Sequence, residues 1–265
     1  MDRRRFGVLL ATGMAGAVAS CQSREVISSA PSVVLKVSAA ASLKAAMEQV
    51  KVAYARANSS VGIAYNFGAS GALAQQIVQG AAVDVFVSAA PSWMDLLADK
   101  KLLLEKSRRN LLQNSLVLII PESNDAVLST VFAFEELESS RFKKIAIGEP
   151  NSVPVGRYAE EFLRSAGLYD KLRSKLVLGK DSSQVLIYVA ARQVDAGIVY
   201  ATDAQKTDGV RLMAEINADT HSPILYPVAV VKNSQHLSEA QAFVDFLFGK
   251  VAAEFFLADG FKLDR

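Results

Sequence analysis

An α/β architecture is predicted by two observations. Short apolar runs of strand length alternate along the chain with segments whose apolar residues recur every three or four positions, and the joints between them are rich in small residues, serine and proline. Such alternation implies mainly parallel sheets, whose ligands sit beyond the carboxyl ends of the strands. A length of 265 residues with 51% hydrophobic composition suffices for a sizeable core and for two domains. Pattern alone leaves one domain and two both open.

The N-terminus reads as a targeting segment. Met1 to Arg5 is basic, Phe6 to Ala19 is apolar but too short to span a bilayer, and Val18-Ala19-Ser20-Cys21 follows as a processing site. Residues 1–20 are therefore expected to be a signal peptide, and the run resembles the lipobox of bacterial lipoproteins, in which the cysteine carries the lipid. Arg3-Arg4-Arg5-Phe6 also looks like a twin-arginine export signal. Residues 21–32 are polar and suit a tether between a lipidated Cys21 and the first strand.

Val33 to Val37 is that strand. It stops in Ala39-Ala40-Ala41, and Ser42 then stands where a helix begins, with Leu43, Met47, Val50 and Tyr54 at helical spacing. The pattern is repeated by a strand at Val61 to Phe67, the small residues Gly68-Ala69, and Ser70 ahead of Leu73, Ile77 and Val78. Both serines are candidate N-caps. Asp84 to Ser88 is a buried-type strand, and Pro91-Ser92-Trp93 opens a helix with Ser92 as its cap. Leu116 to Ile120 and Ile145 to Ile147 are strands, helices are expected at about 156–166 and 183–192, and Ala196 to Tyr200 is a strand again. After Tyr226-Pro227 the strand Val228 to Val231 leads into helices at about 238–247 and 251–258.

Charge and rare residues exclude several functions. Removing residues 1–20 takes three arginines and one aspartate from totals of 29 basic and 27 acidic residues, which leaves a neutral chain. No basic tract remains to bind nucleic acid. The single cysteine excludes a disulfide framework, and His221 and His236 have no partner at metal-ligand spacing. There is no P-loop, and Gly68-Ala69-Ser70-Gly71-Ala72 lacks the second glycine of a nucleophile elbow. Ser140-Arg141-Phe142-Lys143 has a Ser-x-x-Lys spacing but reads as a surface turn, and Glu135-Glu136 and Glu160-Glu161 read as solvated helix faces.

What remains are ends of elements. A helix start carries unpaired N–H groups and the positive end of its dipole, so two such starts at neighbouring strand ends can hold an anion without a lysine. Small residues there let the backbone approach an oxyanion closely. A serine at a helix start equally serves as a simple cap. Three further ends carry the same potential: Val153-Pro154-Val155-Gly156-Arg157, Asp181-Ser182-Ser183, and Tyr200, whose hydroxyl can point into a cleft or whose ring can fill a hydrophobic edge.

In order along the chain these stretches resemble the periplasmic molybdate-binding proteins of ABC importers. The resemblance runs from about Val33 to Phe261 and rests on Ala39-Ala40-Ala41-Ser42-Leu43, Asp84-Val85-Phe86-Val87-Ser88-Ala89, Trp93-Met94-Asp95, Val153-Pro154-Val155-Gly156, Gly197-Ile198-Val199-Tyr200, Tyr226-Pro227-Val228-Ala229-Val230-Val231 and Gly260-Phe261. It implies a two-lobed type II periplasmic-binding-protein fold with the ligand cleft between lobes, residues 33–115 plus 228–265 forming lobe I and 116–227 lobe II.

The resemblance further implies the ligand set. Ser42 and Ser70 supply hydroxyl and backbone N–H, Val155 and Ser182 backbone N–H, and Tyr200 its phenol hydroxyl. The ligand is then molybdate or tungstate, with no cofactor, no cationic metal and no covalent chemistry. The implied partners are an ABC permease and its ATPase, and the membrane through a lipid on Cys21. The implied state is a monomer located in the periplasm or at the cell surface. Two departures stand out: Ser182-Ser183 where the family often has valine and arginine, and Ala69-Ser70-Gly71 in place of a serine-rich run. The residues leave two rivals, a binding protein or sensor for another oxyanion such as sulfate, and a serine hydrolase using Ser42 or Ser70.

Overall fold

The strands fall into two sheets that the chain visits in turn. The structure, a computed structural model, describes residues 31–122 and 132–264. From the N-terminal side, β1 (Val33–Ala40) leads through a 3₁₀ turn, Ala41–Leu43, into α1 (Lys44–Ala57). The strand-helix unit recurs as β2 (Val61–Gly68) with α2 (Ser70–Val78) and as β3 (Val85–Val87) with α3 (Pro91–Asp99). After β4 (Arg109–Gln113) and β5 (Leu116–Pro121) come β6 (Ile145–Gly148), α4 (Pro154–Ser165), α5 (Tyr169–Leu172), β7 (Leu176–Gly179), α6 (Ser182–Ala190), β8 (Ala196–Tyr200), α7 (Ala201–Ala204) and β9 (Val210–Glu215). The chain closes with β10 (Leu225–Val230), α8 (Leu237–Leu247), α9 (Lys250–Ala258) and β11 (Lys262–Leu263).

One sheet runs in the order β11-β4-β10-β3-β1-β2 and the other in the order β7-β6-β8-β5-β9. The chain therefore passes between sheets twice, at Asn114-Ser115 and between Glu215 and Leu225. The two crossings touch, the Asn114 N–H donating to the Ile224 carbonyl at 3.2 Å. β10 begins at Leu225, three residues ahead of the expected strand start at Val228.

The sheets are mixed rather than mainly parallel. β1, β2 and β3 are parallel, as are β6, β7 and β8, whereas β10, β4 and β11 in the first sheet and β5 and β9 in the second pair antiparallel. Four of the antiparallel strands, β4, β5, β9 and β10, flank the two crossings, and the fifth, β11, follows α9 at the end of the chain. β4, β7, β9 and β11 are not among the expected strands: β4 and β9 mix polar with apolar residues, and the apolar runs of β7 and β11 are only three residues or fewer. Three of them lie at sheet edges, where one side faces water and the apolar signal thins.

The buried faces follow the sequence periodicity. Leu43, Met47, Val50 and Tyr54 are all buried, and the Tyr54 ring meets Phe243 and Phe246 of α8 edge-on at 5.1 Å each. The central strands β3 and β8 are buried along their whole length, as expected where helices cover both faces. One glycine is indispensable to this layering: a Cβ on Gly156 would lie 2.1 Å from the Gly148 carbonyl oxygen, so only glycine lets the first turn of α4 rest on the end of β6. No helix among the described residues is long and apolar enough to cross a membrane. Cys21 and the expected signal segment lie outside the described residues.

Candidate functional site

The parallel strands bring their carboxyl ends level. Ala40 of β1 pairs with Gly68 of β2 in register, and Gly148 of β6 with Gly179 of β7. The segments that follow these ends meet across the gap between the sheets. Ser42 comes from the 3₁₀ turn after β1, and Ser70 is the first residue of α2. Val155 lies in the first turn of α4, Ser182 is the first residue of α6, and Tyr200 is the last of β8. All five line one small cavity of about 10 Å³, and none is more than 5% exposed. Helix starts α2, α4 and α6 thus point unpaired N–H groups and dipole ends at the same place.

The serines stand at helix starts but do not cap them. The N-cap positions of the 3₁₀ turn, α2 and α3 belong to Ala40, Ala69 and Ala90, none with a side-chain bond. The hydroxyls are engaged elsewhere. Ser70 Oγ accepts the Ala89 N–H at 2.9 Å, and Ser92 Oγ accepts from Arg157 Nη1 at 2.7 Å. Ser42 Oγ lies 3.0 Å from the Tyr226 hydroxyl. Among the α-helices of the described residues only α6 has a side-chain cap, Asp181 Oδ1 accepting from the Gln184 N–H at 2.8 Å.

A chain of bonds runs from Asn114 through Tyr226 to the Ser42 hydroxyl. Asn114 Oδ1 accepts the Ser115 N–H at 2.9 Å, which directs Nδ2 to Thr202 Oγ1 at 3.0 Å and to the Tyr226 hydroxyl oxygen at 3.2 Å. Either hydroxyl of the Ser42–Tyr226 pair can donate to the other; when Tyr226 donates, the Ser42 proton is free to be given into the cavity. Ser70 is similarly set, since its oxygen already accepts and its own proton remains for donation. Neither Asn114 nor Tyr226 is singled out as a site residue by the sequence reading. Tyr226-Pro227 is conspicuous there only as the start of a strand.

No charged side chain lines the cavity. A charge lies one residue's backbone away: Lys206 Nζ donates to the Ser42 carbonyl oxygen at 2.7 Å and pairs with Asp203 at 2.7 Å. Burial pushes the Tyr200 phenol well above its ordinary pKa, and nearby Tyr226, Tyr158 and Asp203 add to the effect. Tyr226 is raised in the same way by burial, opposed by its bond to Ser42. Both phenols are therefore donors across the physiological range. Tyr200 OH and Ser182 Oγ are buried with no hydrogen-bond partner among the described residues.

Other bonds join the two sides. The Gly71 N–H donates to the Ser152 carbonyl at 3.0 Å, and a Cβ on Gly71 would lie 2.5 Å from that oxygen. Arg157 reaches from α4 to Ser92 and lies 5.6 Å from the Trp93 ring centroid. Together with Lys206 these contacts describe a closed cleft.

The remaining candidates stay apart from it. Neither histidine approaches Ser42 or Ser70, and His221 Nδ1 contacts only the Ser222 carbonyl at 2.8 Å. Ser140 and Lys143 are exposed. Glu160 pairs with Arg164, and Glu161 accepts the Ser222 N–H at 2.7 Å. Among the described residues no group of three or more His, Cys, Asp or Glu side chains could hold a metal ion.

Two mixed sheets, two crossings and a buried cleft of neutral donors between them define a two-lobed solute-binding protein. The chain matches the family described as bacterial extracellular solute-binding protein over residues 35–262. It is 42% identical over 248 residues to a Bacillus subtilis protein named "Putative ABC transporter substrate-binding lipoprotein YvgL", covering 93% of this chain and 94% of that one. It is 35% identical to the molybdate-binding protein ModA of Haemophilus influenzae, over 88% of this chain and 91% of that one. Among solved structures, the "substrate binding domain of putative molybdenum ABC transporter from Clostridium difficile" superposes with a TM-score of 0.67 at 41% identity, over 88% of this chain and all of that one. The chain belongs to the bacterial extracellular solute-binding proteins, a family of binding proteins rather than enzymes.

Proposed function

We propose that this chain is the substrate-binding component of an ABC importer, capturing molybdate or tungstate between its lobes and delivering it to a membrane permease driven by an ATPase. The observation that carries this reading is the meeting of Ser42, Ser70, Val155, Ser182 and Tyr200, from segments that follow or end strands of two different sheets, around one small cavity lined by neutral donors. Donors held by helix starts and strand ends satisfy a dianion's oxygens without a counter-charge. Hydrogenphosphate suits such a site less well, because a hydroxyl that turns to accept its proton is lost as a donor to the other oxygens. Sulfate offers the same acceptors as molybdate, so cavity size separates the two. The relatives' names, ModA and a molybdenum transporter domain, support the same ligand class.

The working cycle is closure of residues 116–227 onto residues 33–115 and 228–265. It is driven by ligand contacts made from both sides and reversed on docking to the permease. Lipidation of Cys21 holds the protein at the outer face of a membrane, in agreement with the lipoprotein named among its relatives. Calorimetric titration with molybdate, tungstate, sulfate and phosphate tests the reading. One-to-one binding of the first two with sulfate and phosphate silent is expected; heat from sulfate alone would replace molybdate with the sulfate reading.

A further inference from the structure

Four polar side chains line the cavity, and they fall into two kinds. Ser42 and Ser70, from the first sheet, are each tied to a neighbour in the protein. Ser182 and Tyr200, from the second, are buried with their hydroxyls unpartnered. For Tyr200 this matches the donor role already given to it. For Ser182 it goes further than the backbone N–H assigned to that position.

The hydroxyl of Ser182 has no structural task to perform. Asp181 already caps α6 by accepting from Gln184, so the helix start is satisfied without it. The adjacent Ser183 is only half-buried and does not line the cavity, which separates two serines that look equivalent in the sequence. A buried hydroxyl without a partner is costly, and protein interiors retain such groups chiefly where they serve a function. At the first position of α6 the hydroxyl lies at the positive end of the helix dipole, where an anion is favoured.

We propose that the Ser182 hydroxyl is itself an oxyanion donor and a determinant of affinity. Resting on the oxyanion reading above, this makes Ser182 contribute both its backbone N–H and its side chain, as Ser42 and Ser70 do from the opposite lobe. The second lobe then offers two hydroxyls and two backbone donors, and the ligand is held by comparable sets from either side.

The test is titration of the whole protein and of its Ser182→Ala and Ser182→Val variants with molybdate and tungstate, alongside thermal unfolding of each without ligand. Both variants keep the backbone N–H. The expected result is at least about tenfold weaker binding in both, the scale for losing a hydrogen bond to a charged group, with unliganded midpoints unchanged. Wild-type binding matched by both variants would overturn the donor role and leave the oxyanion reading intact. A lowered unliganded midpoint in both variants would overturn it in favour of a structural hydroxyl. A wild type that binds neither oxyanion would remove the functional reading and this inference together.

Discussion

Ser42 and Tyr226 lie 184 residues apart in the chain, yet their hydroxyl oxygens stand 3.0 Å from each other at the wall of the cleft. Tyr226 is held in turn by Asn114, which sits at the first crossing between the sheets, so the Ser42 hydroxyl is linked through two bonds to that crossing. Removing the relay with Tyr226→Phe is expected to weaken oxyanion binding by about 1 kcal/mol, the net worth of an ordinary hydrogen bond. Calorimetry of this variant measures it. Affinity equal to wild type would mean that Ser42 orients its proton unaided.

Direct donors are worth more than relays. Ser42→Ala and Tyr200→Phe are each expected to weaken binding by roughly 1–3 kcal/mol, since each removes a bond to a charged partner. Titration with molybdate checks both. Unchanged affinity in the pair would sink the assignment of the site.

The pH dependence follows from the sign of the tyrosine shift. Burial first, then Tyr226 and the other neighbours, raises the Tyr200 pKa well above its ordinary value, so the neutral, donating form persists to higher pH than in a free tyrosine. Molybdate affinity is therefore expected to stay flat from about pH 7 to about pH 9.5. A fall with a midpoint near the ordinary phenol value would show that Tyr200 is solvated where it binds.

Gly71 offers a way to separate closure from folding. Alanine at this helical position is intrinsically favourable by about 1 kcal/mol, but its Cβ would meet the Ser152 carbonyl oxygen at 2.5 Å and the Trp93 ring at 2.7 Å. Gly71→Ala is expected to hold the lobes apart, weakening binding tenfold or more on the scale of about 1.4 kcal/mol per decade, without lowering the unliganded unfolding midpoint. Trp93, the chain's single tryptophan, reports closure by its fluorescence. A normal ligand-induced signal in the variant would contradict the role of this contact.

Lys206 joins the lobes through charge. It bonds the Ser42 carbonyl and pairs with Asp203, whose side chain is 2% exposed against 23% for the lysine. Lys206→Met is expected to cost about 2–3 kcal/mol of stability, somewhat below the loss for a fully buried pair because the lysine keeps some water. Adding Asp203→Asn should restore most of that stability but not the affinity, because the bond to the Ser42 carbonyl stays lost. Chemical unfolding and titration of the single and double variants distinguish the two contributions.

The sequence makes the cleft more legible than the sheets that carry it. Ser42, Ser70, Val155, Ser182 and Tyr200 all stand where an apolar run ends or a helix starts, and parallel pairing is what aligns those ends in space. The hydroxyl orientations could not be read in this way. Ser42, Ser70 and Ser92 look like caps because capping depends on the neighbouring three residues alone, whereas their actual partners, Tyr226, Ala89 and Arg157, come from distant segments. Lys206 and Asn114 were hidden for the same reason, as ordinary polar residues whose meaning lies in what the crossings bring beside them. Edge strands β7 and β9 are hard to read because the first is an apolar run of only three residues and the second mixes polar with apolar positions.

The most direct test is a crystal structure of the tungstate complex, in which the heavy atom is located by its anomalous scattering. The account predicts a single site between the starts of α4 and α6 and the segments carrying Ser42 and Ser70, with the oxygens within about 3 Å of the Tyr200 hydroxyl and the Val155 N–H. Tungsten found elsewhere on the molecule, with this cleft closed around no anion, would contradict it.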